Sequence, residues 1–353
     1  MKAQPLKGRP LVSVVVPCYN YGRYLPDAVG SVLDQPGVDV EVIIVDDAST
    51  DDSVSVARRL AVQDPRVRLI EHQVNRGHVA TYNDGLSRVT GDLVVLLSAD
   101  DMLAPGALAR AAALFEVDPE VGLVYGYAAE FSDSSGAVAA VRRRRAWWSV
   151  WSGKEWIALS CWRGRNFILS PEAVIRVKAL EAVGGYNPAL PHSGDLEFWL
   201  RTAAHWSVGR VNGPAQAFYR IHPGNMHIAL LDSAAADIIH RAAAFRSLQN
   251  LSERGHWTPY VHRAERALAR EALLVGQRRL DEGGGALEAR TMMSSAVDVS
   301  AAAGGSLRAR ILERSITRAE QDLRPSDIQR AAEWIRRQFD RVRWTLWKMV
   351  GVS

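Results

Sequence analysis

The run Leu93–Leu97, followed closely by Asp100 and Asp101, is the feature that most restricts how this chain can fold. Five consecutive apolar residues are typical of a parallel strand buried on both faces. In open α/β sheets, ligands bind at the carboxyl ends of such strands. Two adjacent carboxylates repel each other unless a positive group lies nearby. The pattern therefore predicts a divalent cation with phosphate oxygens, or else two solvated acids before a helix near Pro105.

Strand-like and helix-like segments alternate through the first hundred residues. Helical patterns separate the expected strands, which are Leu11–Val16, Glu41–Val45, Val67–Ile70 and Leu93–Leu97. This alternation implies a mostly parallel sheet with helices on both faces. A later strand is expected at Val121–Phe131. Because no Gly-x-Gly-x-x-Gly pattern follows the first strand, a dinucleotide-binding fold is excluded.

A second pair of acids, Asp46 and Asp47, follows the second expected strand. We expect both pairs of acids at one rim, because the carboxyl ends of parallel strands meet at the same edge of a sheet. Just beyond, Ser49 with Asp52 resembles a capping box that opens the next helix. Asp51 and Asp52 are therefore interpreted as structural acids at a helix N-terminus.

Three segments together resemble the successive signatures of family 2 glycosyltransferases with the GT-A fold. These segments are Val14–Asn20, Val45–Asp51 and Leu97–Asp101. The resemblance implies an α/β domain of the GT-A fold, Rossmann-like, with a mostly parallel central sheet and helices on both faces. It also implies an inverting, non-processive transfer of a sugar from a UDP- or dTDP-type donor to a glycan or lipid-linked acceptor, with Mg or Mn as the metal ion.

The resemblance gives roles to individual side chains. Pro17 and Tyr19 would line the nucleobase pocket, and Asp47 would accept the imide N–H of the base. Asp100 would lie near the ribose, and Asp101 would bind the metal. The other residues expected to bind the nucleotide are Asn20, Asp46 and Asn75.

The segment His192–Arg201 is similar to the acidic motif that supplies the catalytic base in this family. On this alignment Asp195 is the base, whereas the residue alone would also fit a helix N-cap. Glu197 and Arg201 are four residues apart and are interpreted as an ion pair on one helical face. Around His222, the sequence resembles the end of the catalytic domain, where this histidine would reach the diphosphate or the metal. The alternative for His222 is an ordinary loop residue.

Three positions depart from the family pattern. Ser98 stands where many members have the first Asp of the metal motif, Gly194 replaces the usual Glu beside the base, and Tyr82 stands where Arg is common. Ser98 and Gly194 leave open a nucleotide-sugar-binding protein of the same fold with weak or no catalysis. A sugar-1-phosphate nucleotidyltransferase is excluded, because Pro17–Asn20 lacks the glycine-rich basic loop of such enzymes.

The segment after residue 141 is rich in arginine and tryptophan. Arg142–Arg145 is a block of four positive charges, and the tryptophans that follow are Trp147, Trp148, Trp151, Trp156 and Trp162. Indole faces stack on sugars and arginines hold phosphates, which predicts an acceptor site. The alternative is a solvated arginine loop with a tryptophan-rich helix packed on the core. With a net charge of only +4, we expect no nucleic-acid partner.

From about Ile228 onward the pattern is helical, so we expect a transferase domain at residues 1–228 and an α-helical region at 229–353. The last expected helix carries an apolar face from Ile335 to Met349 with arginines elsewhere. Such a helix would lie on an anionic membrane, pack on the body of the protein or join a homodimer. No apolar run reaches the roughly 20 residues of a membrane span, and Met1–Pro10 does not resemble a signal peptide. We expect a cytoplasmic protein, or one held peripherally at the inner membrane face.

Overall fold

The computed structural model describes residues 1–132, 145–225, 234–251 and 255–321. The chain divides into two compact units, the first formed by Met1–Trp156 and Ile168–Pro223 and the second by Ile157–Phe167 and Gly224–Ser353. The predicted domain boundary at residue 228 lies outside the described residues, so that division stays a prediction.

The first unit contains two sheets. Its strands are β1 (Leu11–Cys18), β2 (Asp39–Asp46), β3 (Val67–Glu71), β4 (Leu93–Leu96), β5 (Met102–Leu103), β6 (Val121–Tyr125), β7 (Ala128–Phe131), β8 (Trp147–Trp151), β9 (Val174–Arg176), β10 (Ser207–Asn212) and β11 (Ala217–Arg220). The larger sheet has the order β3-β2-β1-β4-β9-β6-β10-β8, and the smaller has the order β5-β11-β7. The first four strands of the larger sheet are parallel, whereas β9 and β8 run antiparallel to their neighbours. The expected, mostly parallel α/β sheet is confirmed.

Helices lie on both faces of this sheet. They are α1 (Leu25–Leu33), α2 (Ser53–Gln63), α3 (His78–Leu86), α4 (Ala107–Val117), α5 (Gly153–Arg163), α6 (Val177–Val183) and α7 (Gly194–Ala203). Helix α5 begins in the first unit, and its residues from Ile157 onward belong to the second.

Strand β1 shows why helices cover both faces of the sheet. Val14 and Val16 are fully buried in one apolar cluster with Leu25 of α1. Val15 points to the opposite face and contacts α3, where a Cβ added to Gly85 would lie 2.3 Å from Val15 Cγ1. Each buried valine contributes about 1.5–3 kcal/mol to folding. A continuous β-branched run is therefore stable only with apolar cover on both faces.

The single strand expected at Val121–Phe131 is wrong, because the chain forms two strands there. β6 belongs to the larger sheet and β7 to the smaller one. The change occurs at Gly126, which packs so tightly on Gln216 that an added Cβ would lie 2.2 Å from the Gln216 Cγ. Since glycine has no side chain, it permits this close approach.

The tryptophan-rich segment divides between a strand and a helix. Trp147, Trp148 and Trp151 lie on β8, antiparallel to β10, so a helix at these positions is wrong. Trp148 and Trp156 are fully buried and serve the core. Trp147 and Trp162 are 42% and 56% exposed, respectively. Within the expected arginine block, Arg142, Arg143 and Arg144 lie outside the described residues.

The second unit is helical, in agreement with the α-helical C-terminal region expected from the sequence. Beyond residue 224, its helices are α8 (Ala234–Ser247), α9 (Thr258–Asp281), α10 (Ala286–Val299) and α11 (Leu307–Glu320). Gly276 of α9 packs closely, since an added Cβ would lie 3.1 Å from Met292 Cβ and 3.1 Å from Leu312 Cδ2. Among the described residues, no helix has the length and apolarity needed to cross a bilayer. The expected basic helix with its face from Ile335 to Met349 lies outside those residues.

Candidate active site

Asp100 and Asp101 lie between β4 and β5, beyond the carboxyl end of a central parallel strand. Arg220 of β11 fixes this turn. Its backbone N–H donates to Asp101 Oδ1 at 2.9 Å, and its Nε donates to the Asp100 carbonyl oxygen at 2.8 Å. The Arg220 guanidinium also lies 3.2 Å from Asp27. Sequence reasoning missed Arg220, because a contact across 119 residues leaves no local pattern.

The second carboxylate oxygen of Asp101 is a buried acceptor without a hydrogen-bond partner in the part of the chain that the structure describes. The side chain belongs to a residue that is only 1% exposed. Burial, reinforced by the neighbouring Asp100 carboxylate, raises the pKa of Asp101 well above its ordinary value. A buried charge without a partner is costly, and a bound cation removes that cost. Asp101 Oδ2 therefore fits a metal ligand.

His222 lies beside the same turn. Its Nε2 is 3.0 Å from Asp100 Oδ2, and its ring packs on Tyr24 with 5.0 Å between centroids. Within the described ranges, no cluster of three or more His, Cys, Asp or Glu side chains is placed to hold a metal. Mg²⁺ commonly takes one or two carboxylates and completes its shell with phosphate oxygens and water. The donor set around Asp101 therefore suits a metal that binds together with a diphosphate.

Asp46 and Asn20 join the loops that follow β1 and β2. Asp46 accepts from Ser49 twice, at 2.9 Å from the backbone N–H and at 2.6 Å from the hydroxyl. Asn20 has a positive φ of 60°, and its Oδ1 accepts the Thr50 N–H at 2.7 Å. Asn residues adopt this conformation more readily than most. In this structure, both predicted nucleotide-binding side chains hold the loop itself.

The capping box expected from Ser49 and Asp52 is wrong. Helix α2 begins at Ser53, and the Ser49 hydroxyl donates to Asp46 instead of capping that helix. The N-cap is Asp52, whose side chain makes no capping hydrogen bond, and the preceding Asp51 accepts the Ser53 N–H on Oδ1 at 2.9 Å. A local pattern favoured Ser49, but the buried carboxylate of Asp46 is the stronger acceptor.

Asp47 is buried and accepts three hydrogen bonds. Its Oδ1 accepts the Arg76 N–H at 2.8 Å and lies 2.8 Å from His72 Nδ1, and its Oδ2 accepts the Gly77 N–H at 2.9 Å. Burial alone would raise the pKa of Asp47, but these hydrogen bonds outweigh it and lower the pKa below its ordinary value. Asp47 is thus an ionised acceptor at the N-terminus of α3.

Helix α3 connects the two sides of the site. His78 Nε2 lies 2.9 Å from the Pro191 carbonyl oxygen. Asn83 binds the backbone of Tyr186 twice, accepting its N–H at 2.7 Å and donating to its carbonyl oxygen at 2.9 Å. Both contacts lead to the segment that precedes Asp195. The same helix therefore reaches Asp47 at one end and this segment along its length.

The hydroxyl of Tyr82, on α3, is influenced by two of the predicted site acids, Asp100 and Asp195. Burial raises the pKa of the Tyr82 hydroxyl, and Asp195 and Asp100 raise it further. The Tyr82 ring contacts Tyr186 edge-on at 5.3 Å between centroids. Asp100 and Asp195 therefore both raise the pKa of the same hydroxyl, that of Tyr82.

Asp195 lies in the first turn of α7. The N-cap of this helix is Ser193, so the N-cap interpretation of Asp195 is wrong. The Ser170 hydroxyl donates to Asp195 Oδ2 at 2.5 Å. Burial raises the pKa of Asp195, against the opposing effects of Ser170 and Tyr186. A carboxylate with a raised pKa is suited to accept a proton.

Glu197 and Arg201 form the expected ion pair, with Nε–Oε1 at 2.8 Å. Arg201 also donates to the Gly185 carbonyl oxygen at 2.7 Å, so the pair anchors the segment before α7.

The remaining predicted side chains lie at the rim beside Asp47. Pro17 ends β1, and Tyr19 is 47% exposed. Asn75 is exposed, and its Oδ1 accepts the Gly77 N–H at 3.1 Å. A tyrosine half open to solvent offers a ring face to a planar ligand.

Comparison with known proteins gives one family. Residues 13–183 match the model of glycosyl transferase family 2. An uncharacterised glycosyltransferase of Nostoc sp. is 40% identical over 114 residues, which is 32% of this chain and 35% of that protein. A chondroitin synthase of Escherichia coli is 27% identical over 57% of this chain and 28% of its own length. The chain spans less than two thirds of the length of these curated relatives.

Among solved structures, a mannosyltransferase from Pyrobaculum calidifontis in complex with GDP-Man and Mn²⁺ is similar over 93% of this chain and 85% of that one. The TM-score is 0.55 and the sequence identity 20%. This similarity concerns the fold.

Proposed function

Because residues 13–183 of this chain match the model of glycosyl transferase family 2, we propose that the protein transfers a sugar from a nucleoside-diphosphate sugar to an acceptor hydroxyl. The acceptor is a glycan or a lipid-linked saccharide of surface polysaccharide or glycoconjugate synthesis. The observation that carries the proposal is the buried Asp101 Oδ2, which has no hydrogen-bond partner among the described residues and whose neighbour Asp100 acts, like Asp195, on the Tyr82 hydroxyl. A cytoplasmic, peripheral membrane location and a homodimer belong to the same proposal.

The nucleotide binds at the rim formed by Pro17, Tyr19 and Asp47. An ionised carboxylate accepts hydrogen bonds but cannot donate them. Asp47 therefore favours bases with an imide or lactam N–H, such as uracil, thymine and guanine. A UDP- or dTDP-sugar is the proposed donor. Asn20, Asp46 and Asn75 act by shaping the loops that surround this rim.

A divalent cation, Mg or Mn, fits beside Asp101. The Asp101 Oδ2 atom would hold it, with Asp100 and His222 next to it. When bound, such a cation neutralises charge on the diphosphate and makes it a better leaving group. The role of the protein is to keep Asp101 Oδ1 on the Arg220 N–H, which leaves Oδ2 for the ion.

Asp195 acts as the general base. The acceptor oxygen attacks the anomeric carbon, the bond from that carbon to the diphosphate oxygen breaks, and the acceptor proton moves to the Asp195 carboxylate. The nucleoside diphosphate leaves with the bonding electrons. A single displacement of this kind inverts the anomeric configuration.

A nucleotide-sugar-binding protein with weak catalysis is the second candidate, and Gly194 is the observation that favours it. A Cβ at this position would lie 3.1 Å from Tyr186 Cδ1, so Tyr186 occupies the space that a larger residue beside Asp195 would need. Asp195 itself keeps the Ser170 hydrogen bond, which supports the enzyme over the binding protein.

The test uses the full chain with UDP-, dTDP- and GDP-sugars, Mg²⁺ or Mn²⁺, and saccharide acceptors. We expect one donor to release nucleoside diphosphate at a rate that rises with acceptor concentration, and NMR of the product to show inversion. Donor binding without any release of nucleoside diphosphate would favour the binding protein. Retention of configuration would overturn the single displacement.

A further inference from the structure

His72 lies directly after β3 and contacts two carboxylates. Its side chain is 4% exposed, with Nδ1 2.8 Å from Asp47 Oδ1 and Nε2 3.0 Å from Asp84 Oδ2. Each ring nitrogen therefore lies within hydrogen-bond distance of one carboxylate oxygen. Asp47, His72 and Asp84 form a buried triad with the ring in the centre.

The triad limits what Asp47 can do. Each carboxylate oxygen offers about two acceptor positions. On Oδ1, His72 and the Arg76 N–H take both, and on Oδ2 the Gly77 N–H takes one. One acceptor position on Oδ2 is left. The carboxylate is fixed in orientation by donors on both oxygens.

We propose that His72 is a positioning residue for the nucleotide, which orients the Asp47 carboxylate toward an N–H donor of the nucleobase. Asp84 of α3 contacts the second ring nitrogen and so fixes the orientation of the ring. This inference rests on the proposed function, because it assigns Asp47 to the base of the donor. It adds that nucleotide affinity depends on the contact between His72 and Asp47.

Asp84 also lies 3.2 Å from Arg88 and 3.8 Å from Arg76, so its carboxylate is held by α3 and by the turn before it. Removing the His72 ring would leave Asp47 with the two backbone donors of Arg76 and Gly77. The carboxylate would then be held less firmly in its orientation.

The experiment is calorimetric titration of UDP, dTDP and GDP into the full chain, with Mg²⁺ present. His72→Ala should bind the nucleotide about tenfold more weakly than the wild type. His72→Asn should regain most of this loss, because its amide nitrogen can take the place of Nδ1 beside Asp47. Asp84→Asn removes the carboxylate that holds the other ring nitrogen, so its affinity should fall between those of the wild type and His72→Ala.

His262→Ala is the matched control. His262 is an exposed histidine of α9, and its replacement should leave nucleotide affinity unchanged. Equal affinity of the wild type and His72→Ala, or a His72→Asn variant as weak as His72→Ala, would overturn the role of His72 and leave the proposed function standing. A wild type that binds none of the three nucleotides would instead overturn the proposed function. If His72→Ala does not fold, an Asp84→Asn affinity equal to that of the wild type overturns the inference.

Discussion

The Ser170 hydroxyl and the Asp195 carboxylate are joined by a hydrogen bond of 2.5 Å across 25 residues of sequence. Ser170 belongs to a short 3₁₀ turn, Ser170–Glu172, and Asp195 to the first turn of α7. A hydroxyl that donates to a carboxylate stabilises its ionised form. This bond therefore opposes the burial that raises the pKa of Asp195.

Replacing Ser170 by Ala should raise the pKa of Asp195, because the donor that stabilises the carboxylate is lost. The base works when deprotonated, so the acid limb of kcat/KM should move to higher pH by about one unit. Ser193→Ala is the control, since the Ser193 hydroxyl is buried and makes no hydrogen bond within the described residues. If the acid limb of Ser170→Ala stays at the wild-type pH, the hydrogen bond from Ser170 does not control the ionisation of the catalytic base.

Replacing Asp195 by Asn keeps the shape of the side chain but removes the proton acceptor. Transfer should fall by about 10²–10⁴-fold, which is the contribution typical of a general base. Nucleotide affinity, measured by calorimetry, should stay within about twofold, because Asp195 contacts Ser170 and Tyr186, which do not belong to the Asp47 rim. Turnover close to that of the wild type would show that another group takes the proton.

Replacing Asp101 by Asn should stabilise the metal-free protein and weaken its response to metal. The folded pKa of Asp101 lies above the unfolded one, so ionisation costs stability as pH rises from the unfolded pKa to the folded pKa. Asn carries no charge, and the gain should reach roughly 1–3 kcal/mol at neutral pH and shrink in acid. Thermal unfolding at pH 5 and pH 8, with and without Mn²⁺ and nucleotide, measures both effects. A variant that Mn²⁺ and nucleotide stabilise as much as the wild type would contradict the metal role.

Replacing Gly85 by Ala should destabilise the first unit. The new Cβ would lie 2.3 Å from Val15 Cγ1 and 3.1 Å from Val45 Cγ2, and overpacking of this kind costs about 1–3 kcal/mol. Gly30→Ala in α1 is the matched control, because no atom lies within 4 Å of its added Cβ. That variant should gain about 0.5–1 kcal/mol from helix propensity. Chemical denaturation measures both. Equal stability of the two variants would show that α3 can move away from β1.

Much of the fold was predictable, because the apolar runs of β1, β2 and β4 are long and the helices between them are regular. Asp47 directly follows β2, Asp101 lies in the turn after β4, and Asp195 lies in the first turn of α7, so the local sequence marks all three. It does not mark their partners. Arg220, His72 and Ser170 reach the acids from distant parts of the chain, and nothing in their own surroundings marks them.

Local patterns failed where another contact competed with them. Ser49 has the sequence context of a helix cap, but its hydroxyl donates to Asp46 instead. The alternation through Val121–Phe131 suits one strand, but Gly126 lets the chain pack on Gln216 and leave the sheet. Asp46 is close to Ser49 in sequence, but only the fold buries it and makes it the preferred acceptor, whereas Gln216 lies far along the chain from Gly126.

The double hydrogen bond between Asn83 and the Tyr186 backbone has a mechanical consequence. The N–H of Gly77, the N-cap of the same helix, donates to Asp47, so α3 is fixed to both regions. A displacement of α3 would therefore shift the surroundings of Asp47 and the segment leading to Asp195 together. Under the proposed function, donor binding and acceptor binding are mechanically coupled through this one helix.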